Sequence, residues 1–200
     1  DDMIRLQGGI TITPKDAESA AKALAEYQKA GGGTMSTEAA LSHPSKPPQI
    51  DGALDEWDFS KAVSVPAGPG RGGKAMAAYD DKFLYLAYQV ADDSAFVNKG
   101  TDFAYLFKSG DLVDFILCTN PDADPKRKAG KGDLRLLFAP FQGKPTAIIN
   151  QKVAEGGPSA PLKFASPGQS EEYDRVAILN DAQMAVKTTP DGYTLEAAVP

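Results

Sequence analysis

The sequence predicts an all-β chain, an antiparallel β-sandwich of the immunoglobulin-like type with a short helical segment before it. Two observations carry this prediction. After residue 75, apolar side chains recur with the two-residue period of strands, and turns rich in glycine, proline and asparagine separate these runs. No helical pattern of about 10 to 15 residues falls between them, which argues against a parallel sheet built from β-α-β units.

Residues 1–46 are predicted to form a helix followed by a proline-rich linker. Thr13 and Pro14 suit the N-cap and the first position of a helix, and the three glycines at 31–33 would end it. The apolar face of this helix is mostly alanine and buries little area, so we expect it to be the tail of an upstream domain. Prolines then stiffen residues 43–48. A domain boundary is predicted near residue 47, with residues 47–200 forming the sandwich.

The strand pattern is clearest at residues 75–94, where two alternating runs flank an acidic turn. The second run is apolar on both sides, as expected for a strand inside a sandwich. Further strands are predicted at residues 112–119, 133–139, 147–153, 175–179, 182–188 and 193–199. Residues 68–75 read "GPGRGGKA", which has the glycines and lysine of a phosphate loop but Ala75 in place of its Ser or Thr. A strand pattern follows, so a flexible turn is the favoured interpretation.

Composition and charge exclude several functions. The formal charge is −6, with 21 Lys and Arg scattered among 27 Asp and Glu, so no basic stripe exists to bind nucleic acid. No apolar run approaches the ~20 residues of a membrane helix, and no membrane insertion is expected. The single histidine, His43, falls in the predicted linker, so the sandwich lacks material for a Ser-His-Asp triad or a multi-histidine metal site. The chain is therefore predicted not to be an enzyme.

Charged residues inside the predicted strands are the first candidates for a ligand site, because an unpaired buried charge is costly. Asp114, Arg135 and Glu196 each alternate out of phase with the apolar side chains of their strand. If they share one sheet face, Arg135 would donate hydrogen bonds to the hydroxyl groups of a bound ligand, and the carboxylates would accept hydrogen bonds from them. The alternative is a solvated outer face or a structural ion pair between arginine and carboxylate.

Four stretches in order resemble the family 9 carbohydrate-binding modules and the wider DOMON-like superfamily of β-sandwiches. They are "PPQIDGALDEWDFSKAVSV", "AAYDDKFLYLAYQVADDS", "SGDLVDFIL" and "DGYTLEAAVP", and they span residues 47–200. The resemblance implies a secreted or periplasmic module of a larger bacterial polypeptide, which binds sugars or, in some branches, b-type haem. In the family the last stretch precedes further strands, so the sandwich is expected to continue beyond Pro200.

The aromatic residues of the chain are the next candidates for sugar binding. Trp57 is large enough to plug one end of a sandwich, and the alternative is a platform on which a pyranose ring stacks. The family grips sugars with tryptophans outside this motif, whereas this chain has a single Trp. Tyr105 is one of the rings that would substitute for them. The predicted ligand-binding residues are thus Tyr105, Asp114, Arg135 and Glu196.

Cofactor predictions follow from the same resemblance. Family 9 modules can carry structural calcium, for which Asp92 and Asp93 are the candidate ligands, with a solvated loop as the alternative. Haem b would need axial ligands, and Met76 and Met184 fall in predicted strands. A third hypothesis is a scaffolding or interaction domain that binds no small ligand.

Overall fold

The structure, a computed structural model, describes residues 41–68, 71–120, 129–156, 161–166 and 169–200. Over these ranges the chain forms antiparallel strands in three sheets, with two short 3₁₀ turns, Phe59–Lys61 and Phe103–Lys108, as its helical elements. The predicted fold class is therefore confirmed as all-β, consistent with a β-sandwich. The helix predicted from Thr13 lies outside the described residues.

Eleven strands occur within the described part of the chain. They are β1 (Val63–Gly68), β2 (Arg71–Tyr79), β3 (Leu84–Ala91), β4 (Val113–Cys118), β5 (Asp133–Phe141), β6 (Lys144–Gln151), β7 (Leu162–Ser166), β8 (Gln169–Tyr173), β9 (Arg175–Ile178), β10 (Gln183–Thr189) and β11 (Gly192–Val199). They belong to two compact units. The five-stranded unit includes residues 41–96 and 181–200, and the four-stranded unit includes residues 97–180. Among the described residues, no helix has the length and apolar character needed to cross a membrane.

The five-stranded unit has the strand order β1-β2-β3-β11-β10. Its most enclosed strand is β11, every residue of which is buried. Directly opposed residues of an antiparallel pair point to the same face, so the register places Leu86 with Ala197 and Tyr88 with Leu195 on one apolar face. Ala87 and Glu196 are opposed on the other side, which we call the Glu196 face.

The segment before β1 covers part of the Glu196 face. Ile50 and Trp57 of this segment, together with Phe83 from the turn before β3, pack against a small buried cluster of Ala78, Tyr85 and Ala198. The chain also reaches this sheet earlier than predicted, because Tyr79 donates its backbone N–H to Ser42, and Ser42 forms a parallel bridge to Ala78. Residues 42–46 therefore belong to the five-stranded unit, ahead of the boundary predicted near residue 47.

The four-stranded unit has the order β4-β5-β6-β9, and β7 and β8 form a separate hairpin. The register places Leu137, Ile148 and Ile178 on one face, which we call the Arg135 face because Arg135 also points to it. Leu106, from the second 3₁₀ turn, packs against Leu137 and Ile148. Two central strands that are buried on both faces, β5 and β6, and one aromatic turn thus give this unit its own core.

Two local predictions differ from the structure. Of residues 68–75, Gly68 belongs to β1 and Arg71–Ala75 belong to β2, which pairs with β1, whereas residues 69–70 lie outside the described ranges. Glycines 72 and 73 suggested a loop, yet each is held in the ladder by its partners on both sides. Strands β1, β7 and β8 were not predicted, since Pro66 interrupts the first and the other two have only five residues each.

Candidate functional site

The carboxylate of Glu196, in the five-stranded unit, is fully buried and accepts three hydrogen bonds. Its Oε2 atom accepts hydrogen bonds from the backbone N–H groups of Asp51 at 3.1 Å and Gly52 at 2.6 Å. Its Oε1 atom accepts the indole Nε1–H of Trp57 at 2.8 Å. Glu196 itself is 0 % exposed. Three donors therefore satisfy a charge that would otherwise be costly to bury.

The position of these donors follows from the turn at Asp51 and Gly52. Gly52 adopts a φ of 80°, which favours glycine, and a Cβ there would lie 3.2 Å from the backbone nitrogen of Lys187. The hydroxyl of Thr194 donates to the Gly52 carbonyl at 2.7 Å. The turn is thus fixed to β11 at two points, and the chain that leaves it carries Trp57 back to the same strand.

A cavity of about 420 Å³ opens beside Trp57 in the five-stranded unit. Its wall combines the half-buried indole with short polar, charged and proline side chains. The lining residues are Ser42, Pro44, Ser45, Lys46, Pro47, Gln49, Glu56, Trp57, Asp58, Lys61 and Met76. We call this space the Trp57 cavity. Its volume lies within the ~300–1,000 Å³ range of small-molecule sites.

The charges that line the Trp57 cavity balance, with two lysines and two carboxylates. Lys61 and Asp58 form an ion pair at 3.2 Å. Hydrogen bonds from Ser60 and Lys61 hold the pKa of Asp58 below its ordinary value, so this side chain is ionised at neutral pH. The wall therefore offers both donors and acceptors without a strong net charge.

The four-stranded unit contains a second polar group, on the Arg135 face. Both Nε and Nη2 of Arg135 contact Oδ2 of Asp114, at 2.6 and 2.5 Å. Asn150 is opposed to Arg135 in the register and is 3 % exposed. Its Oδ1 atom is buried without a hydrogen-bond partner. Along β5, the side chains on this face therefore change from apolar at Leu137 to charged at Arg135, two residues away.

Tyr105 lies in the aromatic cluster of the same unit. Its ring meets Phe164 edge to face at 5.1 Å between centroids and stacks on Phe107 at 6.3 Å. Tyr173 completes the cluster against Phe164. These contacts account for a packing role, and Tyr105 remains half-buried rather than fully enclosed.

The structure brings together some of the predicted ligand-binding residues. Asp114 and Arg135 form the ion pair that was the alternative interpretation, and both belong, like Tyr105, to the four-stranded unit. Glu196 belongs to the five-stranded sheet instead, so the three charged residues do not share one sheet face. Glu196 does point away from its strand's apolar face as predicted, but its carboxylate is covered rather than exposed.

The acidic pair proposed for calcium makes other contacts. Asp93 accepts from Arg71 at 2.6 Å, and this hydrogen bond lowers the pKa of Asp93. Asp92 accepts from the backbone and hydroxyl of Ser94. Within the described ranges, no group of three or more His, Cys, Asp or Glu side chains is arranged to hold a metal ion. Geometry therefore gives the calcium prediction no support.

The two methionines proposed as haem ligands lie in one sheet. Met76 is in β2 and opposes Ala87, whereas Met184 is in β10 and opposes Ala197. Ala87 and Ala197 occupy opposite faces of the sheet, because Ala197 pairs with Leu86. Met76 and Met184 therefore cannot be the two axial ligands of one haem iron.

Sequence reasoning did not identify most of the Trp57 cavity. Gln49, Glu56 and Asp58 line it, and two of them directly flank the tryptophan in the sequence. The two acidic neighbours of Trp57 in the sequence could have indicated this site, because carboxylates beside an aromatic ring are suited to a polar ligand. From the sequence, Lys46 and its neighbours Pro44 and Pro47 are predicted to belong to the linker. The chain matches no protein-family model and no curated protein.

Proposed function

We propose that this chain is a non-catalytic carbohydrate-binding module, similar to the family 9 modules, within a larger extracytoplasmic bacterial protein. The observation that carries the proposal is the Trp57 cavity. Carbohydrate sites combine an aromatic ring, which contacts the C–H face of a sugar, with polar side chains that bond its hydroxyls. Trp57 supplies the ring, and Gln49, Glu56 and Asp58 supply the polar groups.

The charge balance of the cavity favours a neutral glycan. Two lysines and two carboxylates give no net attraction for a polyanion, and the whole chain carries −6. Dissociated acid groups on a ligand would meet Glu56 and the ionised Asp58. Hydroxyl groups, in contrast, can donate to the carboxylates and accept from the lysines.

The same residues argue for binding without hydrolysis. A glycosidase needs one carboxyl group that is protonated at working pH and acts as the general acid. Asp58 has a lowered pKa because of Ser60 and Lys61, which is the opposite of what that role requires. We therefore assign the Asp58 carboxylate to hydrogen bonding.

A titration with soluble polysaccharides tests the proposal. The chain has a single Trp, so its fluorescence reports on Trp57 alone. We expect one of a panel of neutral glycans, such as laminarin, xylan, galactomannan or hydroxyethyl cellulose, to shift the emission saturably. Hyaluronan and polygalacturonate serve as acidic comparisons. No response to any neutral glycan, together with no retention in affinity gels, would favour the scaffolding alternative.

A matched pair of variants locates the site. Glu56→Ala removes a cavity side chain, whereas Glu172→Ala removes an exposed glutamate of the four-stranded unit. We expect the first to weaken glycan binding about tenfold, the effect of one lost hydrogen bond to a charged group, and the second to leave it unchanged. Equal affinities for the two variants would place glycan binding elsewhere on the chain.

A further inference from the structure

We infer that Glu196 is a positioning residue, which sets the orientation of the Trp57 indole for a stacked sugar. This inference rests on the proposed function, because it assigns to Trp57 the role of sugar platform. Glu196 cannot itself contact a ligand in this structure, since its carboxylate is 0 % exposed. Its effect on binding must act through the group it holds.

The hydrogen bonds around Glu196 explain why a carboxylate is needed. All three neighbours of its oxygens are N–H donors, two on Oε2 and one on Oε1. A carboxylate presents two acceptors, while the isosteric amide of glutamine presents one acceptor and one NH₂ donor. In Glu196→Gln, the NH₂ group must face either the Trp57 indole or the Gly52 backbone, donor against donor.

The position of Glu196 in the fold makes this contact rigid. β11 is an interior strand of its sheet, paired along its whole length with β3 and along most of it with β10. The other two donors, the backbone N–H groups of Asp51 and Gly52, fix the chain only a few residues before Trp57. One oxygen of the carboxylate holds the indole, and the other holds the turn that precedes it in the chain. The orientation of the ring is therefore set before a ligand binds, which lowers the ordering cost of binding a ligand against it.

The test compares Glu196→Gln with two controls. Thr194→Val removes the hydrogen bond to the Gly52 carbonyl, so it perturbs the same turn without touching Trp57. Glu172→Gln makes the same chemical change at an exposed site. We expect Glu196→Gln to weaken neutral-glycan binding about tenfold, to shift Trp57 emission to the red and to raise its quenching by acrylamide. Glu172→Gln should retain wild-type affinity and emission, and Thr194→Val should change both less than Glu196→Gln does, because it leaves the hydrogen bond to the Trp57 indole in place.

A measurement on the wild-type chain keeps the inference testable if Glu196→Gln does not fold. With ¹⁵N-labelled tryptophan the chain gives one indole signal, because it has one Trp. We expect the Nε1–H of Trp57 to exchange with solvent at least about tenfold more slowly than a free indole. Rapid exchange, or unchanged emission and quenching in folded Glu196→Gln, would overturn the positioning role. If no glycan binds the wild-type chain, the proposed function fails, while the emission, quenching and exchange data still decide whether Glu196 holds the indole.

Discussion

The indole nitrogen of Trp57 lies 2.8 Å from Oε1 of Glu196, although 139 positions separate the two residues in the sequence. One side chain is half-buried at the wall of a cavity, and the other is fully enclosed in an interior strand. The contact therefore joins the segment before β1 to the core of the five-stranded sheet. Stability and ligand binding should both depend on it.

Two substitutions of Trp57 measure separately how much its hydrogen bond and its packing contribute to stability. Trp57→Phe keeps most of the ring but loses the Nε1–H donor, and we expect a loss of about 1–2 kcal/mol in the free energy of unfolding. Trp57→Ala also loses the packing of the indole against the cluster of Ala78, Tyr85 and Ala198, and the expected loss is about 2–3 kcal/mol, below the ~3–5 of a fully buried aromatic. Urea unfolding of both variants measures this. Wild-type stability in Trp57→Ala would contradict a packing role.

Glycine is required at position 192, where β11 begins. Its φ is 146°, and a Cβ there would lie 2.0 Å from the carbonyl oxygen of Val90 in β3. We expect Gly192→Ala to cost more than about 4 kcal/mol, because the two strands cannot keep their register. Gly143→Ala is the control, since Gly143 also has a positive φ but no atom within 4 Å of the place a Cβ would take. It should cost only about 1–2 kcal/mol from backbone strain. Similar melting temperatures for the two variants would refute the steric argument.

The hydrogen bond between Tyr85 and Asp80 should give the stability a measurable pH dependence. Burial, and then the hydrogen bond to Asp80, raise the pKa of Tyr85 from 10.0 to about 12. A raised pKa favours the protonated phenol in the folded state, so this contribution is complete below pH 10 and is lost as the pH rises towards 12. The same bond is the main cause that lowers the pKa of Asp80, which adds a contribution lost in acid as the pH falls below 3.8.

Melting curves of Tyr85→Phe against pH test both ends of this range. The variant should lose less stability than the wild type between pH 10 and 12. It should also show a weaker acid dependence, because the pKa of Asp80 returns towards its ordinary value. Tyr79→Phe, which changes an exposed tyrosine, should follow the wild-type curve. Parallel curves for Tyr85→Phe and the wild type would exclude the linkage.

Removing one partner of the ion pair on the Arg135 face should reduce the free energy of unfolding more than replacing both partners with uncharged side chains. The side chains of Arg135 and Asp114 are 13 % and 31 % exposed, so removing one leaves a largely buried charge. We expect Asp114→Ala to cost about 2–3 kcal/mol, somewhat less than a fully buried pair. The double variant Asp114→Ala with Arg135→Met should recover at least half of that loss. Additive losses in the double-mutant cycle would show that the two charges act independently.

The contact at Ser42 predicts that the segment 42–47 matters for binding more than for folding. Chains that start at residue 41 and at residue 48 differ by the two backbone hydrogen bonds of Ser42 and by several residues of the cavity wall. We expect the shorter chain to fold with a slightly lower melting temperature and to bind neutral glycans more weakly. Equal affinities would mean that the wall formed by Lys46 and Pro47 does not contact the ligand.

The strands could be predicted from the sequence because their period is local. The alternation within residues 75–94 identified β3, and the turn before β11 identified that strand within one residue of its observed start. The contact of Trp57 with Glu196 could not be predicted, because no local pattern states which distant N–H groups will meet a carboxylate. For the same reason, the sequence could not show that Arg135 and Glu196 lie in different sheets, since their strands have similar patterns.

The order of the strands along the chain also affects how the protein is synthesised. β3 pairs with β11, yet residues 92–191 lie between them, and every strand pairing of the four-stranded unit forms within that interval. On the ribosome, β1, β2 and β3 emerge before β11, and β3 waits for this partner while the inserted unit can complete its own ladders. During that interval the Leu86 and Tyr88 side chains and the free edge of β3 have no cover from β11. The nascent chain should therefore be more prone to aggregation, and more dependent on chaperones, before β11 leaves the exit tunnel than after it.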